Sequence, residues 1–233
     1  MNWQDLKLAE SNTHFTYNGK QVFETKFLEA LKFHAPGLAP VKTEMGWCHI
    51  NTAGQPIYKQ RYLRAFGYYC NRASVVDTDG WFHIDDTGKR ITPEFFLWTG
   101  NFQENLCVVR NHNNKYFHVC LDGKRAYKEE YLYVGDFKDG YACVKILNGW
   151  KHINTEGKEL NKNIYDDLGV FHKGIATAKD KNGWFHISKN GDSLYTKRYL
   201  FVEPFYNGIA LVTNFGGRKE LINELGEMIL EIE

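Results

Sequence analysis

Histidine recurs at one position of a regular pattern, two residues after an aromatic residue. The five histidines are His49, His83, His118, His152 and His186. Imidazoles bind Zn²⁺ and titrate near neutral pH, so a row of them could hold metal or respond to pH. A metal site, however, needs several ligands about 2.1 Å from one point, whereas this pattern supplies one ligand per repeat. We therefore predict that each ring packs on a neighbouring aromatic residue and hydrogen-bonds to the backbone, and we assign no metal ligand.

Acid–base and nucleophilic chemistry have only weak candidates. The adjacent carboxylates are Asp85-Asp86, Glu129-Glu130 and Asp166-Asp167, and each pair lies in or next to a predicted turn, where solvated charge is the usual role. The chain has no P-loop, GxSxG, HExxH or GxGxxG motif. Its five cysteines lack CxxC spacing, which favours reduced thiols in the cytoplasm. We assign no catalytic residue and no cofactor, and the binding residues are unknown at this stage.

The aromatic residues before the histidines could be mistaken for a stacking ladder. They are Trp47, Trp81, Tyr116, Trp150 and Trp184, spaced 34 or 35 residues apart. We call these residues the anchors, and the strand that carries each of them the anchor strand. Because they recur in fixed register with small and β-branched residues, we predict that they pack in the core rather than stack on sugars or bases. Aromatic residues outside this pattern, such as Trp98, Tyr68 and Tyr69, are better candidates for exposed contacts.

The same period governs several further positions, which belong to the elements that hold these residues. A small residue precedes each anchor at Ala39, Ser74, Cys107, Ala142, Ala176 and Ala210, with Val41, Val76, Val109, Val144, Ala178 and Val212 two residues later. An aromatic residue opens each unit at Phe27, Tyr62, Phe95, Tyr131, Tyr165 and Tyr199. A glycine closes it at Gly54, Gly88, Gly123, Gly157, Gly191 and Gly226. The sequence therefore predicts six repeats of about 34 residues.

Each repeat carries a strand signature. Small and β-branched residues alternate, as in Gly208-Ile-Ala-Leu-Val212, and the closing glycine can adopt a positive φ in a tight turn. We predict two hairpins and up to four short strands per repeat, with a core formed by stacking. An all-β open, solenoid-like array is the favoured architecture. A closed β-propeller with small four-stranded blades is the alternative.

The repeats imply a division of the chain into three segments within one structural domain. Residues 1–19 form an N-terminal cap and a partial repeat, and a short helix is expected around Leu6 to Glu10. Residues 20–226 form the six repeats. Residues 227–233 form a C-terminal strand that closes the last repeat, in which Lys219 and Leu221 replace the aromatic residue and the histidine. We expect this last repeat to cap the stack with a more polar face.

The repeat resembles the bacterial WG-repeat family over roughly residues 14 to 230. Phe137-x-x-Gly140-x-Ala142-x-Val144 and Phe205-x-x-Gly208-x-Ala210-x-Val212 match the first half of the family pattern, and Trp81-Phe-His-Ile-Asp85 approximates the second. The chain departs from the family in having W-x-H-I in place of W-G-[FY]-[IV]. The resemblance implies an interaction or scaffold module and supplies no catalytic residue.

The charge composition limits the classes of partner that we expect. The formal net charge is +1, so no global field would attract nucleic acid or an anionic membrane, and neither is predicted as a partner. We predict a non-catalytic protein-binding or scaffolding module with a protein partner. Two alternatives stay open, a metal-dependent or hydrolytic enzyme with a site on the repeat surface or channel, and a glycan-binding module.

Overall fold

Short antiparallel strands joined by tight turns make up almost the whole chain. The computed structural model describes residues 1–232. These residues form seven small antiparallel sheets, so the prediction of an all-β repeat protein is confirmed. Two compact units are present, Met1–Arg125 and Ala126–Glu233. The single domain, and the choice of an open array over a closed propeller, stay predictions.

The first unit contains four three-stranded sheets. The sheets consist of β1 (Lys7–Leu8), β2 (Phe15–Tyr17) and β3 (Lys20–Gln21); β4 (Glu29–Ala30), β5 (Ala39–Thr43) and β6 (Gly46–Ile50); β7 (Arg64–Tyr69), β8 (Arg72–Asp77) and β9 (Gly80–Asp85); and β10 (Trp98–Thr99), β11 (Leu106–Arg110) and β12 (Tyr116–Cys120). The partial repeat thus forms a sheet of its own. The helix expected around Leu6 is wrong, because a 3-10 turn at Trp3–Asp5 comes first and Lys7 and Leu8 then pair with β2.

The second unit contains three sheets. They consist of β13 (Tyr133–Val134), β14 (Tyr141–Ile146) and β15 (Gly149–Asn154); β16 (Asp167–Leu168), β17 (Ile175–Asp180) and β18 (Gly183–Ser188); and β19 (Phe201–Val202), β20 (Ile209–Thr213), β21 (Lys219–Asn223) and β22 (Met228–Ile232). None of the described residues forms a helix long and apolar enough to cross a membrane.

A full fourth strand occurs in the last sheet alone, where β22 pairs with β21. In the other repeats the chain that follows the anchor strand pairs with it only through isolated bridges, such as Ile153 with Glu159 and Trp150 with Tyr165. The expectation of a polar cap is wrong. Met228, Ile229 and Leu230 of β22 are 57%, 53% and 56% exposed.

The core lies where the small and β-branched positions of successive repeats meet. Ala142 pairs with Ile153, and both are buried, as are their counterparts in the other repeats. In the second repeat Ala73 and Val75, which pair with Ile84 and Phe82, occupy these positions rather than the predicted Ser74 and Val76; Ser74 is buried as well, whereas Val76 is half-buried. The sequence assignment was one residue off because the two neighbouring positions carry nearly the same residue types.

Successive repeats are linked by backbone pairing between the anchor and the next opening aromatic residue. Trp47 and Tyr62 exchange two N–H···O bonds, each 2.9 Å long, and Trp150 and Tyr165 pair in the same way. In the third repeat the paired residue is Phe96, not the predicted Phe95. The anchor strand of one repeat therefore holds the start of the next.

The glycine before each of the four tryptophan anchors makes this close approach possible. Gly80 has a φ of +132°, and a Cβ there would lie 2.7 Å from the carbonyl oxygen of Phe96. A Cβ at Gly46 or Gly183 would likewise lie 2.9 or 2.6 Å from the carbonyl oxygen of Tyr62 or Tyr199. A side chain at this position would push the two repeats apart.

Replacing Gly80 with alanine should therefore lower the free energy of unfolding by about 2–4 kcal/mol, combining backbone strain with a clash. Gly208→Ala is the control, because its φ is +77° and a Cβ there meets nothing within 4 Å. The control should lose only about 1 kcal/mol. Urea denaturation measures both losses, and equal losses would contradict the role given to Gly80.

Candidate binding surface

The histidine row lies inside the stack and links neighbouring repeats. His49, His152 and His186 direct Nε2 at the backbone carbonyls of Phe66, Gly169 and Glu203, at 2.8, 2.9 and 2.9 Å. Each acceptor lies 17 residues further along, in the next repeat. His83 makes a longer contact of 3.4 Å to Gly100, and His118 is buried as well.

A carbonyl oxygen only accepts hydrogen bonds, so Nε2 must carry the hydrogen and Nδ1 of the neutral ring becomes the acceptor. The hydroxyl groups of Tyr58 and Tyr195 then donate to Nδ1 of His49 and His186. Each of these two histidines thus bonds to its own repeat and to the next one.

Each ring also packs on an aromatic residue of the following repeat. The centroid distances are 4.7 Å for His49–Tyr68, 4.9 Å for His83–Phe102, 4.4 Å for His152–Phe171 and 4.2 Å for His186–Phe205. The predicted packing role of these four rings is confirmed. Tyr68 is only 2% exposed, so its expected surface role is wrong.

Burial lowers the pKa of four histidines, His49, His83, His152 and His186, to about 4, although the carbonyl hydrogen bond partly opposes the shift. The rings stay neutral at pH 7. The Nε2 atoms of these rings contact backbone carbonyls. Within residues 1–232, no three His, Cys, Asp or Glu side chains converge as metal ligands would. The row therefore acts on stability rather than as a ligand set.

The other sequence candidates occupy structural or solvated positions. Cys107 is fully buried at its small-residue position, and burial raises the pKa of the Cys143 thiol to about 12, which disfavours the nucleophilic thiolate. Asp85 accepts hydrogen bonds from the N–H groups of Thr87 and Lys89 and so shapes its turn. Neighbouring Asp86 is exposed, as are the two other carboxylate pairs.

The tryptophan anchors divide into two groups. Trp47 is 1% exposed and belongs to the core, as predicted. Trp81, Trp150 and Trp184 are only half-buried, and the last two pack against the core of the second unit.

Exposed leucines that recur at one position of the repeats, three in the first unit and two in the second, are the feature that sequence reasoning missed. The residue after each opening aromatic residue is an exposed leucine in five repeats, namely Leu28 (60%), Leu63 (63%), Leu97 (37%), Leu132 (40%) and Leu200 (54%). We call these the leucine row. The available signal was the recurrence of leucine directly after an aromatic residue, as in Tyr62-Leu63 and Tyr199-Leu200.

The backbone of the leucine row is fixed while its side chains stay free. The N–H of Leu132 donates to the carbonyl of Lys145 at 3.0 Å, and that of Leu200 donates to Thr213 at 2.9 Å. In the fifth repeat Asp166 makes the same bond to Lys179 at 2.8 Å. An aspartate thus replaces leucine here without altering the backbone, so the fold does not require leucine at this position.

One segment of the chain matches a known family directly. Residues 153–184 match the WG containing repeat. The WG repeat match runs from Ile153, beside one buried histidine, to Trp184, the next anchor, and so covers one repeat length. The resemblance to this family is confirmed over that segment. No curated protein matches the chain.

Solved structures give distant similarities. The computationally designed Ika8 protein is 12% identical, with 97% of this chain and 85% of that chain covered, at a TM-score of 0.45. BamB from Moraxella catarrhalis is 12% identical, with 98% and 85% covered, at 0.45. The WD40 β-propeller domain of Doa1 is 12% identical, with 87% and 77% covered, at 0.35. Because these TM-scores are below 0.5, the description of the all-β repeat fold rests on the sheets of this chain alone.

The buried histidines predict a specific loss of stability in acid. The unfolded chain has histidine pKa values near 6.5 and takes up protons that the folded chain, with pKa values near 4, refuses. The free energy of unfolding should therefore be constant above about pH 7 and fall by up to about 1.4 kcal/mol per histidine for each pH unit below 6.5. Ordinary carboxylates titrate below most of this window.

Two single variants separate the contributions. His83→Phe and His186→Phe should each reduce the slope between about pH 6.5 and 5, as expected from the loss of one protonation site. At pH 7.5, His186→Phe should be the less stable, because it leaves Tyr195 and the carbonyl of Glu203 without their bonds. Melting temperatures in a pH series measure this, and a flat series from pH 7.5 to 5.5 contradicts it.

Proposed function

We propose that this chain is a non-catalytic protein-binding module that docks its partner through exposed leucines of one unit, Leu132 and Leu200 of the second. The observation that carries the proposal is the recurrence of an exposed leucine at one backbone position in five repeats. A single exposed leucine is unremarkable in a soluble protein, whereas the same exposure at equivalent positions marks a surface with a shared role.

The geometry of the repeats supports a surface that is independent of folding. The conspicuous histidines and glycines are committed to contacts between repeats, and Asp166 shows that the leucine position tolerates a charge. Apolar residues at the neighbouring hairpin tips enlarge the exposed surface, with Met45 74%, Leu147 89% and Phe215 63% exposed. A partner could therefore bury apolar area without any rearrangement of the repeats.

The described residues give less support to a catalytic function than to a binding function. The imidazoles are buried and bonded to carbonyls, the Cys143 thiol is held protonated, and the paired carboxylates lie in solvent. These observations support a function carried by exposed residues such as the leucine row.

The double variant Leu132→Asp/Leu200→Asp should lose its protein partner while remaining folded. Each change at these exposed sites should alter the free energy of unfolding by no more than about 0.5 kcal/mol. The measurement is affinity capture of the full tagged chain from its native cells, with quantitative mass spectrometry of the captured proteins and a melting curve for each variant.

Leu225→Asp is the matched control, because Leu225 is 70% exposed but lies in a turn outside the leucine row. We expect the control to capture the same partner as the native chain. If all three proteins capture the same set in the same amounts, the leucine row is not the docking surface.

A further inference from the structure

One face of the last sheet forms part of the core of the second unit. In an antiparallel sheet, directly paired residues point to the same side, and successive residues alternate between the two sides. Val202 pairs with Val212, and Ala210 pairs with Ile222. All four residues are buried. The residues that alternate with them along β19, β20 and β21 therefore point to the opposite side of the sheet.

This opposite side is apolar. Leu211 of β20 pairs with Leu221 of β21, which pairs with Leu230 of β22, so three leucines form a row across three strands. Leu211 and Leu221 are half-buried, and Leu230 is 56% exposed. Three further apolar residues point to the same side, namely Phe201 (50% exposed), Ile209 (42%) and Ile232 (39%). We call these six residues the open face.

The same side of the preceding sheet is covered by the repeat that follows it. Thr177 pairs with His186 there, at the positions that Leu211 and Leu221 occupy in the last sheet. Both residues are buried. The centroid of the His186 ring lies 4.2 Å from that of Phe205 in the following repeat. This side of the sheet is therefore an interface between repeats.

The sheet of β14 and β15 shows the same coverage. Cys143 pairs with His152 on this side, and both are buried. The thiol of Cys143 donates to the carbonyl of Gly169 at 3.2 Å, and the His152 ring packs on Phe171. In two successive sheets, this side thus lies under another repeat of the same kind. The open face continues that series of interfaces, and another copy of the same structural unit is the occupant that it fits.

The residues of the open face determine how such a copy would lie. Leu221 stands where His186 donates to the carbonyl of Glu203, and a leucine donates no hydrogen bond. The open face therefore lacks the polar contact that joins successive repeats, and an apolar surface is its complement. Among the described strand residues on this side of the sheet, Lys219 alone carries a charge, so no charge pattern selects an acidic or basic partner. An identical open face supplies matching apolar surface, and a two-fold axis makes the two complementary.

We propose that the open face binds the open face of a second copy of this chain and so forms a two-fold symmetric dimer. The central row of leucines would be buried in the contact. This inference goes beyond the proposed function, because it uses side chains other than Leu132 and Leu200. The contact is small, and interfaces that bury less than about 1,200 Å² in total are commonly transient. We therefore expect a dissociation constant on the order of 1–100 µM.

Sedimentation velocity of the full chain over about 2 to 200 µM tests this expectation directly. A reductant is present, because Cys70 is an exposed free thiol. The chain should be monomeric at the lowest concentration and reach twice the monomer mass at the highest, with no larger species, since each copy has one open face. Raising NaCl from about 50 to about 500 mM should not weaken the dimer, because the contact is apolar.

Matched variants locate the contact. Leu230→Asp should raise the dissociation constant at least about tenfold, because the dimer would bury an unpaired carboxylate. Met228→Asp is the control: Met228 lies in the same strand and is 57% exposed, but it pairs with Ile222 on the other side of the sheet. The control should change the constant less than about twofold. Ile209→Asp, on another strand, should weaken the dimer as well, and melting curves verify that each variant folds.

The proposal is overturned if the chain stays monomeric at every concentration, if it grows beyond a dimer, as a head-to-tail contact would require, or if Leu230→Asp and Met228→Asp have equal effects. These failures differ from failure of the proposed function. The double variant Leu132→Asp/Leu200→Asp should still form the dimer. A monomeric chain that captures its partner through Leu132 and Leu200 would retain the proposed function and reject the contact between open faces.

Discussion

The hydrogen bond from a buried histidine to the backbone of the following repeat organises the rest of this structure. His49, His152 and His186 each donate through Nε2 to a carbonyl 17 residues further along. Short sheets of three strands cannot bury both faces alone, so their stability depends on such contacts between repeats. The same interface accommodates the aromatic ring that packs on each imidazole, and it requires the glycine that precedes each tryptophan anchor.

This constraint separates the residues that build the stack from those free to bind. Positions that repeat with a buried role, such as His186 and Gly183, are fixed by the neighbouring repeat. The leucine row also repeats, but its side chains project outward from a backbone that is already satisfied. Under the proposed function, binding specificity would vary around it through hairpin tips such as Leu147, without any change to the interfaces between repeats.

Much of the fold followed from the spacing of residues, whereas the surface did not. The period predicted the all-β repeat, and the histidine row predicted its own packing. Errors arose where neighbours share a residue type, as at Ser74 and Val76 in place of Ala73 and Val75, and at Phe95 in place of Phe96. The solvent exposure of individual side chains was harder still to predict, because it depends on which residues the next repeat covers. Tyr68 is buried under His49, whereas Leu63, five residues earlier, lies in solvent.

The tautomer and charge of the histidines test the central claim most directly. Long-range ¹H–¹⁵N correlation spectra of the ¹⁵N-labelled chain distinguish a protonated Nε2 from a protonated Nδ1 and follow each ring through a titration. We predict neutral rings with hydrogen on Nε2 at pH 7 for His49, His152 and His186, and no protonation until the pH approaches about 4. Hydrogen on Nδ1, or titration near 6.5, would contradict the account, since the rings could not then be the buried donors that join one repeat to the next.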